Sequence, residues 1–526
     1  MPRQSLTRPT DLCLSRRGFL LGGASLAAWP SLCSLTRGAL QRPVSFASDP
    51  FTLGVASGDP APDSVVLWTR LAPSPLETGG GLPPDAFEVT WEVAEDEQMR
   101  RVVKSGTTLA APQLAHTVHV EAAGLRPDRW YWYRFRAGDA ESPIGRTRTA
   151  PPPDALPDRL RFAFASCQHF ETGLFTAYEH MAAEDLDLVI HLGDYIYENA
   201  GRDDQVRKHV GRELTTLDDY RARYAQYRSD ALLRAAHARF PWLVVWDDHE
   251  FDNNCAGDIS EEPDVDPAEY LLRRAAAYQA YYEHMPLRCR ALPRGPDMRL
   301  YRRVPFGRLA DFNMLDTRQY RTDQPGGDGN KPLTGDVFNP AATLLGATQE
   351  RWLMAGLISS TARWNVLAQQ VMMGRVDRAV GEEARYSMDQ WSGYDVARKR
   401  LLNFLADRRV PNPVVLTGDI HSNWVNDLKV DFDRPEDATV ATEFVGTSIS
   451  SGGNGTARPR GLDQLLSENP FVRFHNAQRG YVSCTLTPGQ WRSDYQVVEF
   501  VDRPGAPLIT RASFVVESGQ SGAEQG

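Results

Sequence analysis

Cysteine is scarce in this chain. Of six cysteines in 526 residues, Cys13 and Cys33 lie near the start, which leaves Cys167, Cys255, Cys289 and Cys484 scattered over the rest. So few thiols in so long a chain exclude a disulfide scaffold, even in an oxidising compartment. Positive charge is also in deficit: 58 Lys and Arg stand against 68 Asp and Glu, a net charge of −10. This balance excludes nucleic acid as a structural partner and argues against an anionic membrane surface. An anionic small substrate stays open, because bound metal reverses the local sign. Long hydrophobic runs are missing, and the segment Phe19 to Trp29 offers about eleven residues, short of the ~20 that cross a bilayer. Nucleotide-binding loops are missing too: QPGGDGN and SSGGNG do not sit between a strand and a helix, and both read as plain surface loops. What remains, 42% hydrophobic and 24% charged, is ordinary globular composition in a chain long enough for two or three domains.

The short apolar run has a meaning of its own. Arg16 and Arg17 precede it in SRRGFLLGGASLAAW, which resembles a twin-arginine export signal, the route of proteins that fold and load cofactors before export. Small residues in SFAS place cleavage after Ala47. Residues 1–47 are therefore expected to leave, with the twin-arginine machinery as a partner and a periplasmic or extracellular destination. Their removal takes away six arginines and one aspartate, leaving 52 basic and 67 acidic side chains and a net charge of −15. No later segment is apolar enough to span a membrane.

Between residues 48 and 150 the pattern is of short strands, SVVLWTRL, FEVTWEVAED, HTVHVEAAGL and WYWYRFRAG, each bounded by turn-forming residues. Strands so spaced predict an all-β sandwich of immunoglobulin or fibronectin type. Residues 151–158 follow a proline-rich path, with four prolines between Ala150 and Asp158, and are expected to be an extended spacer. From 159 to 515 strands alternate with helices, RLRFAFASC, GLFTAYEHMAAEDL, DLVIHLGD, LDDYRARYAQYRSDALLRAAHARF and PWLVVWDDHE. The fold class is thus a β sandwich followed by a larger α/β domain with mixed sheets flanked by helices. Residues 516–526 read as a polar tail, too short and polar for a lid.

Four strands of the second region end alike: FASCQH at Cys167, HLGDYIYE at Asp194, VWDDHEFDNN from Asp247 to Asn254, and LTGDIHSNW from Asp419 to Asn423. The carboxyl ends of strands in an open α/β sheet line one edge, so these residues are expected to converge. Carboxylate and amide oxygens suit hard ions such as calcium, imidazole suits transition metals, and a thiolate with a phenolate suits ferric iron.

The order GD-x-x-Y, DDHE, GD-x-H resembles that of the calcineurin-like metallophosphoesterases, where GNHE and GH-x-H are usual. Cys167 in place of a leading aspartate motif, Asp248 in place of the GNHE asparagine, and Asp419 in place of the first histidine of GH-x-H are similar to the PhoD-type alkaline phosphatases, which also carry an N-terminal β sandwich. The resemblance implies an Fe(III) and Ca²⁺ enzyme. It makes Cys167, Asp194 and Tyr197 iron ligands, with Asp194 bridging to calcium. Asp248, Asn253 or Asn254, Asp419 and His421 would complete the calcium and phosphate sites. Asp194, Asp248, His249 and Asn253 are the candidate catalytic group. Where the family can offer an arginine beside the first aspartate, this chain has Tyr195, and Arg273, Arg375 and His249 are alternative phosphate clamps.

A phosphate ester is anionic and resists hydroxide, so a metal cluster that neutralises it and lowers the pKa of a bound water meets the chemical need. The expected function is an exported, monomeric alkaline phosphatase acting on small phosphate monoesters. A phosphodiesterase or phospholipase on the same scaffold is the alternative, since the motifs do not separate the two. A sugar-binding or adhesive protein, with the sandwich as its working part, would leave the four strand ends without a purpose.

Overall fold

The computed structural model describes residues 45–262, 264–379, 381 and 383–526. The expected export signal lies, up to residue 44, outside the described residues.

The strand Leu160–Ala165 stands at the middle of the first sheet. It pairs in parallel with Leu188–His191, which pairs in parallel with Pro241–Val244. These strands are apolar on both faces, as buried parallel strands are. On its other side Leu160–Ala165 takes the long strand Val472–Leu486 antiparallel, and Gln490–Val498 and Leu508–Glu517 continue the sheet. The segment expected to be a polar tail folds back instead: Val515 pairs with Glu524 and Phe514 with Gln525, and Ala523 is buried.

A second sheet runs from the hairpin Arg302–Phe306 and Ala310–Met314 through the parallel strands Trp364–Ala368, Pro413–Thr417 and Ala441–Val445. It closes with Asn423–Leu428 against the first part of Val472–Leu486, so one strand serves both sheets. The sheets face each other through aromatic contacts. Phe162 meets Phe312 at 5.3 Å and Trp491 meets Trp364 at 5.7 Å between ring centroids, both edge on. Burying such a side chain stabilises the fold by about 2 kcal/mol. Side chains along the second sheet alternate between two cores: Val366 and Leu416 turn to the sheet interface, while Leu367 and Val415 turn to the helices Gly346–Ser359 and Asp395–Asp407. The helices Thr176–Ala183, Leu217–Arg228, Ala231–Arg239 and Pro267–His284 cover the first sheet, giving layers of helix, sheet, sheet and helix. Asp230 caps its helix by accepting N–H bonds from Leu232 and Leu233, which is why the long helical stretch breaks in two there.

The N-terminal strands form a sandwich, but not a detached one. One layer is Val102–Ala110, Phe87–Ala94, Trp130–Ala137 and Gly145–Arg148. Tyr131, Tyr133, Phe135 and Ala137 alternate into its core, and Arg134 and Arg136 face outward onto Glu92 and Glu141. The other layer is Thr117–Ala123, Ser64–Arg70 and Val55–Gly58, and the last of these pairs in parallel with Pro241–Val244 of the first sheet. The sheet therefore crosses the boundary where the proline-rich segment predicts a spacer. That segment is tied down as well, with Pro151 buried and the Arg308 N–H donating to the Ala155 carbonyl at 2.7 Å. Phe46–Gly526 form one unit.

Candidate metal centre

The strand ends meet. Cys167 follows Leu160–Ala165, Asp194 follows Leu188–His191, Asp247 and Asp248 follow Pro241–Val244, and Asp419 follows Pro413–Thr417. Cys167, Asp194 and Asp419 have left-handed backbone, with φ of 58°, 56° and 62°. That conformation costs a non-glycine residue roughly 1–2 kcal/mol and is kept where the surroundings dictate it, commonly at functional sites. The glycines of the two GD pairs make the convergence sterically possible. A Cβ on Gly193, whose φ is 106°, would lie 2.3 Å from the Asp247 amide nitrogen, and one on Gly418 would lie 2.6 Å from Ser166 Oγ.

Three interlocking groups of donors result, each with its ligand atoms within 4.8 Å of one another: Cys167, Asp194 and His421; Asp194, Asp248 and His249; Asp247, Asp248 and Asp419. Asp194 and Asp248 each belong to two groups. Tyr197 joins them, its hydroxyl donating to Asp194 Oδ2 at 2.8 Å and lying 2.7 Å from Ser451 Oγ and 3.2 Å from His421 Nε2. Asp194 Oδ1 and Asp247 Oδ2 are buried without a hydrogen-bond partner. An unpaired buried carboxylate oxygen is costly, and a coordinated cation removes that cost. The donor set fits metal.

The electrostatics point the same way. Burial pushes Asp247 well up and, even beside Arg318, brings Asp419 to about 7. Burial also raises Asp248, but Arg318 and His249 outweigh it and hold that carboxyl below its usual range. The Cys167 thiol and the Tyr197 phenol are pushed up by burial and by the Asp194 charge. So many acids in one buried volume ionise together only when more positive charge is present than the protein supplies.

His249 donates or accepts through Nδ1 at 2.7 Å from Glu198 Oε2, and its ring lies 4.1 Å from that of Tyr197. Burial lowers this imidazole, but Glu198, Asp194 and Asp248 together raise it well above its ordinary value. The Asn254 amide donates to Asp248 Oδ2 at 2.8 Å, and its side chain donates to Asp328 at 2.6 Å. Asn253 donates from its main chain to Glu198 Oε1 at 3.2 Å and from its side chain to Glu261 at 2.8 Å. Two of the clamp alternatives are engaged elsewhere: Arg273 pairs with Asp252 at 2.8 Å and Glu213 at 3.2 Å, and Arg375 pairs with Asp433. Tyr195 turns away into the core, its hydroxyl 2.8 Å from His237.

The sequence reading passes over several residues. Arg318 is the main one: it follows the strand Ala310–Met314, is buried, and reaches Asp247 from Nε at 2.5 Å, Asp389 from Nη1 at 2.8 Å and Asp419 from Nη2 at 3.0 Å. The signal was present, since LDTRQY is another polar strand end of the same kind. Glu250 is the second: its carboxylate accepts main-chain N–H bonds from Asp194, Tyr195 and Asp247 at 2.9, 2.6 and 2.8 Å. The two glycine-rich loops are not plain surface. SSGGNG brings Ser451 to Tyr197, and QPGGDGN brings Asp328 to Asn254 while Gln324 donates to Asp389 at 3.1 Å.

Comparison with known proteins agrees over nearly the whole chain. Residues 37–151 match the N-terminal domain of the PhoD-like phosphatases and residues 162–495 match the PhoD-like phosphatase family. The chain is similar to alkaline phosphatase D of Bacillus subtilis (strain 168), 56% identical over 483 residues that cover 91% of this chain and 82% of that protein. It is also similar to the solved structure of PhoD, with a TM-score of 0.90 at 55% identity over 92% of this chain and 93% of that one. With its matched sandwich and its matched strand ends, the chain belongs to the PhoD-like phosphatase family.

Proposed function

We propose that this chain is an exported, metal-dependent alkaline phosphatase of calcineurin-like metallophosphoesterase fold that hydrolyses phosphate monoesters by in-line attack on phosphorus. The observation that carries the reading is the sharing of Asp194 and Asp248 among three donor groups where strand ends of the two sheets meet, with Asp194 Oδ1 left unpaired. Cys167, Asp194 and Tyr197 would hold ferric iron. Asp248, Asn253 or Asn254 and Asp419 would hold calcium, His421 would stand beside the iron ligands Cys167 and Asp194 with which it groups, and the Asp248, Asp194 and His249 group would lie where the two kinds of site adjoin. Bound there, such ions supply positive charge for the non-bridging phosphoryl oxygens and a nucleophile at working pH.

The protein's own groups supply order and protons. Glu250 holds the Asp194 and Asp247 main chains in register, so the two carboxylates face one volume. Arg318 offsets part of the negative charge of Asp247, Asp389 and Asp419 and fixes their orientation through separate nitrogens. His249 is tied through Nδ1 to Glu198, which leaves Nε2 to donate to a phosphoryl oxygen or to the departing alkoxide. The His421 side chain, 36% exposed, lies where the site opens to solvent.

Export is supported by the Arg16 and Arg17 pair ahead of its short apolar run. Among the described residues no helix is long and apolar enough to cross a membrane. The deciding experiment is hydrolysis of a chromogenic phosphate monoester and the matching diester by the purified protein, before and after chelation. Monoester preference with loss on chelation is expected. A diester preference would replace the monoester reading, and full activity after exhaustive chelation would overturn metal dependence.

A further inference from the structure

Away from the strand-end cluster, a cavity of about 350 Å³ is lined by four arginines, Arg290, Arg299, Arg302 and Arg303, and by one carboxylate, Asp59. This is an unusual concentration of positive charge for a chain whose net charge is −10. Arg302 forms the floor. Its side chain is 6% exposed, its Nε donates to Asp59 Oδ1 at 2.8 Å, and its Nη1 donates to the Val244 and Leu300 carbonyls. Arg303 is balanced by Asp311 at 3.2 Å. Arg290 and Arg299 are exposed and form no ion pair among the described residues. With Arg302 and Arg303 each matched by one carboxylate, two positive charges are left over.

Ring stacking holds two of the arginines, Arg299 and Arg303. Arg299 lies over the Tyr301 ring at 4.9 Å and Arg303 over the Trp352 ring at 5.1 Å, and the two rings are 5.0 Å apart. Stacking on a ring face orients a guanidinium while its N–H edge stays free. Nη2 of Arg303 is buried without a hydrogen-bond partner, whereas Nη2 of Arg302 lies 2.8 Å from Asp59 Oδ1. The backbone makes room for the Arg303 group, since a Cβ on Gly356 would lie 1.3 Å from Arg303 Nη2.

We propose that this cavity is a second anion site, separate from the metal centre, that takes a phosphate dianion, either free orthophosphate or the phosphate end of a monoester. The two surplus charges match the dianion, and the fork-shaped N–H edges of stacked arginines suit phosphoryl oxygens. The volume admits a small ligand and excludes a macromolecular chain. The inference does not depend on the catalytic reading, because none of its residues contributes to the strand-end cluster.

Equilibrium dialysis of the metal-loaded protein with inorganic phosphate, and separately with phenylphosphonate as a stable monoester analogue, tests it. Two equivalents of phosphate are expected in the native protein and one in the R290A/R299A variant, with kcat for a chromogenic monoester unchanged. G356A, which displaces Arg303, is expected to weaken the second equivalent at least tenfold and checks the result independently. A second equivalent of phenylphosphonate would show that the site takes the phosphate end of a monoester, and phosphate alone would show a site for the free anion. A single equivalent of both ligands in the native protein, or two equivalents of phosphate persisting in both variants, would overturn the proposal.

Discussion

The Glu250 carboxylate accepts the main-chain N–H of Asp194 at 2.9 Å, although 56 residues separate them. The same carboxylate accepts from Tyr195 and Asp247, so one buried side chain ties two neighbouring strand ends together just where the ligand groups begin. Burial and the Asp194 charge push Glu250 up, and the three N–H donors pull it back toward the ionised form.

Replacing Glu250 with alanine leaves three buried donors unpaired. The expected loss is roughly 3 kcal/mol or more of stability by urea unfolding, with a fall in kcat of about 100-fold as Asp194 loses its register. Wild-type stability and activity in E250A would show that the clamp is dispensable.

Arg318 meets three carboxylates with three different nitrogens. Arg318→Met strands those charges, and a destabilisation of about 3–5 kcal/mol is expected. Arg318→Lys should not rescue activity, because a single ammonium cannot reproduce the fork. Activity of R318K within threefold of the native enzyme would argue against the geometric role.

Thiolate and phenolate on ferric iron absorb visible light, so the purified protein is expected to be coloured. Cys167→Ser and Tyr197→Phe should each bleach or shift the band and lower turnover, read by absorption alongside iron content. A colourless, iron-free and fully active protein would remove both residues from the ligand set.

His191 is 1% exposed and its Nε2 has no hydrogen-bond partner. Burial pushes it from 6.5 down to about 3. The unfolded chain therefore binds a proton here that the folded chain refuses, so this contribution is whole above about pH 6.5 and shrinks as pH falls toward 3. From about pH 6.5 to 5 the loss comes to about 2 kcal/mol. His191→Leu should flatten the acid slope of urea-unfolding stability by about that amount, and an unchanged slope would rule the ring out as the cause.

Deleting residues up to 151 tests the continuity of the first sheet. Val55–Gly58 covers the edge of Pro241–Val244, Trp68 Nε1 donates to the Glu283 carbonyl at 2.9 Å, and His119 Nε2 lies 3.0 Å from the Tyr282 and Met285 carbonyls. Exposing that edge and the covered face of Pro267–His284 should leave the remainder aggregated on expression. A soluble, active fragment would show that the N-terminal layer is separable.

The chemistry-bearing residues were legible because their pattern is local. An apolar run that stops at a polar turn can be read within ten residues, and four such endings point to a common site before any packing is known, although the strands that carry them come from two sheets. The alternation of Tyr131, Tyr133 and Phe135 is local in the same way, and the sandwich strands followed from it. The limit of such reading shows at Arg318: its strand end was visible, but nothing nearby says that a buried guanidinium would turn toward Asp247, Asp389 and Asp419, which lie 71 to 101 residues away.

The sequence by itself determined the strand ends, the kinds of donor atom they carry, and the family. Tertiary structure alone decided which partners those atoms meet. It put Glu250 under Asp194, Ser451 against Tyr197, and Val55–Gly58 beside Pro241–Val244. The physical reason is that a hydrogen bond or a sheet pairing between distant segments depends on the whole chain's packing, whereas a turn, a cap or an alternating strand depends on its neighbours.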